Sequence, residues 1–517
     1  MKRQTSGAFA LLILGLAAVG AGWFFWPKFQ ESRQVSTSDA VRSKGAIRVG
    51  IDNFVGYFPL CSPHMRRLML ADGWQQICIE DDANYVARFE KLRKGQLDFA
   101  VATVDTAILA GMRTNFPGVI IAVIDESKGA DAMLARKDAV SDLTALKSRF
   151  DLKVAYTPDS PSHHFLKAIG VHFDVPLLRS QEKGWRIETK GSTEACQKLI
   201  SGEAQVAVCW EPDVSQTLGK PGIVKLLGSE QTSRLIVDVL LVNRDYLDRN
   251  PDRVKQLLGN YFKALKHYRD EPDALRREVA QYAKVSEQIA VEIVKGVSWV
   301  NLNDNALVWF GVPQPGQPLG IGLFETIEST VRILKEFGDV SGDPLPNGDP
   351  RRITNSAPIT LLYGEGVGPV GTPTVITNPL EAAFSPLDEQ GWKKLREVGA
   401  LKIPQILFQS GSDTLALSEK EQLDEIAEIL KSYPHFRIEV QGHTKTGGDE
   451  AANLKVSNER AEAVVRYLLV TFKIDPNRVR VVGFGSSKPL PQRPGEPFRA
   501  YRDRLARVEI RLKTEVY

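Results

Sequence analysis

Apolar and polar positions along this chain alternate between two periods. From residue 45, short apolar runs are separated by stretches whose apolar residues recur every three to four positions. Ile47–Ile51, Ile77–Glu80, Phe99–Val104, Val119–Ile124, Lys153–Tyr156 and Val206–Trp210 read as strands. Tyr85–Lys94, Ser162–Ala168 and Thr193–Ile200 between them read as helices. This alternation predicts an α/β architecture with mostly parallel sheet, because a crossover helix must cover a sheet face to return the chain to a parallel neighbour. Residues 246–340 turn mainly helical, as in Asp252–Arg269, Asp273–Ala283 and Leu323–Phe337. Over 341–380 the period is lost and seven Pro and six Gly accumulate, so 341–399 reads as a linker. Periodicity resumes near Leu401, and 400–517 reads as an α+β unit: strand Gln405–Phe408, helix Glu419–Ser432, strand Arg437–Gln441, helix Asn458–Phe472, and strands Arg478–Gly483 and Arg507–Leu512.

The first thirty residues follow neither period. Lys2 and Arg3 precede an uncharged run from Thr5 to Trp26, about as long as a hydrocarbon core of ~30 Å requires at ~1.5 Å per residue. Trp23, Phe24, Phe25 and Trp26 sit where an aromatic belt would fall, and Lys28 follows. The run predicts an N-terminal transmembrane helix over 1–30, membrane-embedded through residues 7–26, with a cytoplasmic start and the bulk outside the inner membrane. Val19-Gly20-Ala21 leaves a cleaved signal peptide as the alternative. The segment lacks an ionisable group between Gly7 and Trp26, which argues against a proton-conducting subunit.

Composition narrows the picture only modestly. The 517 residues, 43% hydrophobic and 25% charged, are enough for about three compact units of ~100–200 residues. The net charge of +3 excludes a bulk-basic nucleic-acid binder. All of that surplus lies in residues 401–517, with 19 Lys+Arg against 16 Asp+Glu. The four cysteines form two local pairs, Cys61/Cys78 and Cys196/Cys209, able to bridge in an oxidising compartment or to remain small buried residues. The seven His show no ligand spacing, so neither metal nor cofactor is expected.

In the last unit, Gly442-His443-Thr444-Lys445-Thr446-Gly447-Gly448, Asn453, Val456-Ser457 and Arg460-Ala461 resemble the signature of the OmpA-like peptidoglycan-binding domain. Val482-Gly483-Phe484-Gly485 and Arg507-Val508-Glu509-Ile510 extend the likeness. The resemblance implies a clamp on the diaminopimelate of the cell-wall stem peptide, an Asp holding its amine and an Arg its carboxylate. Carried over by position, Arg460 takes the carboxylate, which suits its planar two-pronged donor. Thr444 and Asn453 complete the site. The Asp position is Lys445, a reversal of sign that Asp449 or Glu450 would have to offset.

Residues 45–340 resemble periplasmic solute-binding proteins of the nitrate/sulfonate/taurine ABC-uptake type. Arg48-Val49-Gly50-Ile51-Asp52, Gly56-Tyr57, Lys94-Gly95-Gln96-Leu97-Asp98, Asp125-Glu126-Ser127, Gly129-Ala130-Asp131-Ala132, Trp210-Glu211-Pro212 and Ile236-Val237-Asp238-Val239-Leu240 carry it, in order. The resemblance implies a two-lobed periplasmic-binding-protein fold, with lobe 1 about 45–133 and 240–340 and lobe 2 about 134–239. The chain would cross near Met133–Lys137 and return near Leu240–Arg244. Candidate solute-binding residues at strand ends and a helix start are Tyr57, Asp125, Asp131, Ser160, Trp210, Glu211 and Asp238. Tyr57 and Trp210 offer flat walls, and Ser160-Pro161 a helix N-terminus for an anion. The many acids favour a zwitterion or a hydroxylated solute over a bare anion. Without a nucleophile–base pair or phosphate loop, the expectation is a non-catalytic, membrane-anchored protein that binds a solute and peptidoglycan, with an ABC permease or envelope proteins as partners. An envelope scaffold whose two-lobed module grips a protein partner is the alternative.

Overall fold

The structure, a computed structural model, describes residues 44–515 apart from 82–83, 183, 314–318, 367–377, 405, 407, 409–413 and 494. The apolar N-terminal run lies outside the described residues. Among those described, no helix is long and apolar enough to cross a membrane.

Four strands come first: β1 (Gly45–Ile51), β2 (Trp74–Glu80), β3 (Phe99–Thr103) and β4 (Gly118–Ser127). They alternate with helices that include α1 (Tyr85–Arg93) and α2 (Val104–Thr114). The next five are β5 (Asp131–Arg136), β6 (Val154–Tyr156), β7 (Arg186–Glu188), β8 (Val206–Trp210) and β9 (Ile223–Gly228). Helices α3 (Pro161–His172) and α4 (Ser192–Ser201) lie among them. The chain then returns through β10 (Val237–Asn243) and β11 (Val297–Trp299), followed or separated by helices such as α5 (Pro251–Asp270) and α6 (Gly322–Phe337).

These strands build two sheets, ordered β11-β4-β10-β3-β1-β2 and β7-β6-β8-β5-β9, and so two lobes. β4 is apolar almost throughout, GVIIAVIDES, because helices cover both faces of its sheet. The sheets are mixed rather than mostly parallel: β1 runs parallel to β2 and β3, whereas β10 is antiparallel to β3 and β4. In the second lobe β5 is likewise antiparallel to β8 and β9. These antiparallel strands are the ones entering each lobe from the other. The crossing therefore falls at Lys128–Ala130 and the return at 229–236, earlier than the expected Met133–Lys137 and Leu240–Arg244. β5 lies wholly in lobe 2 and β10 wholly in lobe 1. An unbroken apolar run on either side hides from the sequence where one sheet stops and the next begins.

The expected linker is largely folded. Helix α7 (Ala357–Gly364) packs on lobe 1, and Asn355 N donates to Ile120 O at 2.8 Å. From Asn378 the chain belongs to the C-terminal module: Leu380 is buried there and β12 (Arg396–Ala400) is a strand of its sheet. Short turns and one-turn helices carry no measurable period, which is why Pro and Gly content mislead here.

The C-terminal module has the sheet order β12-β15-β13-β14, with β13 (Arg437–His443), β14 (Val479–Gly483) and β15 (Arg507–Thr514). Helices α8 (Leu417–Lys431), α9 (Glu450–Phe472) and α10 (Phe498–Leu505) accompany it. α9 begins eight residues before the expected Asn458, because Asp449 caps it by accepting from Ala451 N and Ala452 N. The expected strand at Gln405–Phe408 falls largely outside the described residues; Phe408 itself makes only a single bridge, to Leu415.

Cys61 and Cys78 are disulfide-bonded, tying the start of lobe 1 to β2. Cys196 on α4 and Cys209 on β8 are buried thiols with their sulfurs 2.6 Å apart.

Candidate functional site

The crossing strands decide which side chains meet between the lobes. β4 ends on Asp125-Glu126-Ser127 and β5 begins on Asp131, separated by a turn in which Gly129 takes φ +130° and Gly296 packs against it. A side chain at Gly129 would be strained in that backbone conformation. β10 starts by placing Asp238 directly opposite Asp125. β8 ends by placing Trp210 directly opposite Asp131. Residues opposite each other on antiparallel strands share a face. Two strand pairs, one in each lobe, thus bring Asp125, Asp238, Asp131 and Trp210 to the hinge.

All four are buried, Asp125 completely. Tyr57, also buried, donates its hydroxyl to Asp238. Gly56 lies so close that a Cβ there would collide with the Asp125 carboxylate. Around this centre Asp52 accepts from Phe54 N at 3.1 Å, Tyr85 Oη at 3.1 Å and Arg88 Nη2 at 3.1 Å. Arg88 is itself fully buried, and also donates to Asp81 at 2.6 Å and Val101 O at 2.7 Å.

Three polar groups at the hinge are short of partners among the described residues: both oxygens of Asp125 and Oδ1 of Asp131 meet no N–H or hydroxyl donor, and Nε1 of Trp210 meets no acceptor; the Asp125 carboxyl instead faces that of Asp238, within reach of a shared proton. A buried carboxylate without a partner loses its hydration for nothing in return, so it resists ionisation. Burial, then the charge of Asp131, pushes the Asp125 carboxyl well above the usual range. Burial, then Asp125, does the same to Asp238. Asp131 is raised to about 7, by burial first and then by Asp105, Glu211 and Asp52; burial raises Asp105 to about 6. The hinge is therefore rich in acceptors and short of positive charge. Among the described residues no group of three or more His, Cys, Asp or Glu is disposed to hold a metal ion.

Two candidates from the sequence are occupied by their own chain. Ser160 caps α3 and donates to Thr157 O at 2.6 Å. Glu211 holds Ser215, accepting from its hydroxyl at 2.6 Å and its N–H at 3.1 Å. A cleft of about 580 Å³ separates the lobes, lined by Tyr85, Thr106 and Arg113 on one side and Thr157, Asp159 and Lys190 on the other; Asp125, Asp131, Trp210 and Asp238 do not line it. Arg113 and Asp159 form an ion pair across it. Sequence reasoning missed Asp52, Tyr85, Arg88 and Asp105. Asp52 follows an apolar strand as Asp125 does and was open to the same argument. Arg88 carries no such signal, since a charge on an amphipathic helix ordinarily faces water.

The second candidate site is on the C-terminal module, where β13 ends against the first half of α9. A Cβ on Gly442 would strike the Ser457 carbonyl, so only glycine lets the helix approach so closely. Thr444 is buried there, its N–H donating to Gly485 O at 2.8 Å and its hydroxyl without a partner among the described residues. Arg460 lies 5.2 Å over the Phe408 ring, and its Nε also lacks a partner among those residues. Asn453 donates to Gly447 O at 2.9 Å. Lys445 pairs at 2.7 Å with Asp503 of α10, and both are exposed. Asp449 caps α9 through Oδ1, which accepts from Ala451 N and Ala452 N.

Residues 407–502 match the family model described as "OmpA family", so the last module is an OmpA-family domain. Outer membrane porin F of Pseudomonas aeruginosa is 29% identical over 128 residues, 25% of this chain and 36% of its own length. The peptidoglycan-associated lipoprotein of Rhizobium meliloti is 32% identical over 85 residues, 16% of this chain and 48% of its own. The chain thus spans between about a third and a half of these relatives. The N-terminal 60% of the chain aligns with the periplasmic aliphatic sulphonate binding protein SsuA of Escherichia coli at 15% identity and a TM-score of 0.45, covering 92% of that protein.

Proposed function

We propose that this is a non-catalytic cell-envelope protein that captures a small solute between its two N-terminal lobes and attaches to peptidoglycan through its OmpA-family domain. Residues 7–26 would anchor it in the inner membrane, and an ABC permease would be the natural recipient of the solute. The observation that carries the capture reading is Asp125: a fully buried carboxyl, placed where two lobes meet, that faces only another acid, Asp238, and meets no N–H or hydroxyl donor among the described residues. A protein gains nothing by burying such a group unless something else pairs with it. The wall reading is supported by the family match and by the half-buried Arg460, whose Nε–H has no partner among the described residues. Lys445 indicates that the ligand is held without the acid that the family's pattern places there.

Two measurements test the two halves. A thermal-shift screen of the full chain against small amines, guanidines, zwitterions and anions should find a member that raises the melting temperature, since a ligand of the folded state alone stabilises it. A panel without effect would contradict capture. Sedimentation of the full chain with purified sacculi should be reduced at least tenfold by Arg460→Ala. Equal sedimentation of variant and wild type would remove the clamp.

A further inference from the structure

The unpartnered groups at the hinge specify more than a cation. They are two oxygens on one carboxylate, one oxygen on a second, and one indole N–H. The N–H is an observation independent of the acids: Trp210 is buried and stands opposite Asp131, on the same face. Trp normally finds a partner for its N–H when buried.

We propose that the hinge takes a guanidinium or amidinium group, seated two-pronged on Asp125, with a further N–H reaching Asp131 and an acceptor atom of the same ligand meeting Trp210 Nε1. This rests on the capture reading and names its solute class. Three points argue for it. A planar N–C–N donor offers two parallel N–H groups, which is what a carboxylate with both oxygens free can accept. A primary ammonium has an N–H for each of the three oxygens, but these diverge tetrahedrally from a single atom and cannot meet both Asp125 oxygens along parallel directions. Weak hydration makes a guanidinium cheaper to bring into a closed, dry hinge than an ammonium. The neighbouring acids do not compete, because Asp52 is held by Arg88 and Asp238 by Tyr57.

Isothermal titration of the full chain with methylguanidinium, methylammonium and methanesulfonate tests this. Methylguanidinium should bind at least tenfold more tightly than methylammonium, and Asp125→Asn should abolish that preference. Asparagine closely matches the shape of a carboxyl that burial keeps protonated, so the variant should melt close to wild type, separating lost binding from lost folding. Trp210→Phe deletes only the N–H. It should leave methylguanidinium unaffected and weaken guanidinoacetate, whose carboxylate supplies an acceptor, at least fivefold. A Gly-Arg-Gly peptide should bind at least tenfold more weakly than guanidinoacetate if the solute is free rather than an arginine carried on a chain; equal or tighter peptide binding would overturn the free-solute part. Methylammonium binding as tightly as methylguanidinium, or an unchanged preference in Asp125→Asn, would overturn the assignment while leaving capture standing. Failure of these three probes and of the whole thermal-shift panel would bring down the capture reading, and this inference with it.

Discussion

Asp131 shows how one residue's environment turns into a measurable property. Its carboxyl titrates near 7 in the folded protein because it is buried among other acids, against about 3.9 in an unfolded chain. Between those values the folded state holds a proton that the unfolded state has released. This group therefore favours folding as pH falls through 7 and opposes it above. Asp131→Asn should raise the melting temperature by a few degrees at pH 8 and lose that advantage by pH 4, as followed by calorimetry; an equal effect at both would contradict the burial argument. Lys445 is the counterpart on the C-terminal module. Its exposed pair with Asp503 is worth little to stability. Lys445→Asp should leave the melting temperature within about a degree while changing which wall fragments are retained, measured by comparing free and amine-acetylated stem peptides.

At the level of elements, what the sequence revealed and what it hid have physical causes. The strands at Val119–Ile124 and Val206–Trp210 and the helices at 252–269 and 323–337 were legible because each buries one periodic face or an unbroken apolar run. Asp125, Asp131, Asp238 and Trp210 were expected from the resemblance to solute-binding proteins, the acids at strand ends and Trp210 as a flat wall, and the structure sets Asp238 opposite Asp125 and Trp210 opposite Asp131. The hinge register was not legible, since β4 and β5 are equally apolar and only tertiary pairing separates them. Nor was the cap that Asp449 makes, which depends on where the helix starts. The α4–β8 pair gives a further expectation. Cys196 and Cys209 are thiols in sulfur-to-sulfur contact, so an oxidant should join them, and oxidised protein, once unfolded, should contain no free thiol by thiol titration. Two thiols per chain after oxidation would show the pair to be merely packed.

Across the whole molecule the wall-type domain is not a loosely tethered appendage. The apolar core of lobe 2, including Leu143, Phe165 and Phe173, is continuous with that of the C-terminal module, including Val398, Tyr433 and Ile438, while most of lobe 1 packs around a separate core. Tyr433 Oη and His172 Nδ1 share a buried hydrogen bond of 2.9 Å, and Lys402 N donates to His172 O at 2.7 Å. Ser233, on the return crossing between lobes, donates from its N–H to Ser432 O at 2.9 Å. Burial holds His172 far below its usual titration range, at about 3, so the contact stays neutral through physiological pH. Lobe 2 and the OmpA-family domain should then behave as one body, with lobe 1 moving over it. Tyr433→Ala removes a large buried side chain and should cost about 3 kcal/mol, lowering amide protection in lobe 2 and in the C-terminal module together. Loss confined to the C-terminal module would show the two to be independent.

The central claim is that a solute is held by both lobes at once. Hydrogen exchange of the full chain, with and without the panel member that most raises its melting temperature, addresses this directly. The account predicts added protection both at the end of β4 and at the end of β8, around Asp125 and Trp210, and none in Asp125→Asn. Protection confined to one lobe, or to neither, would contradict it.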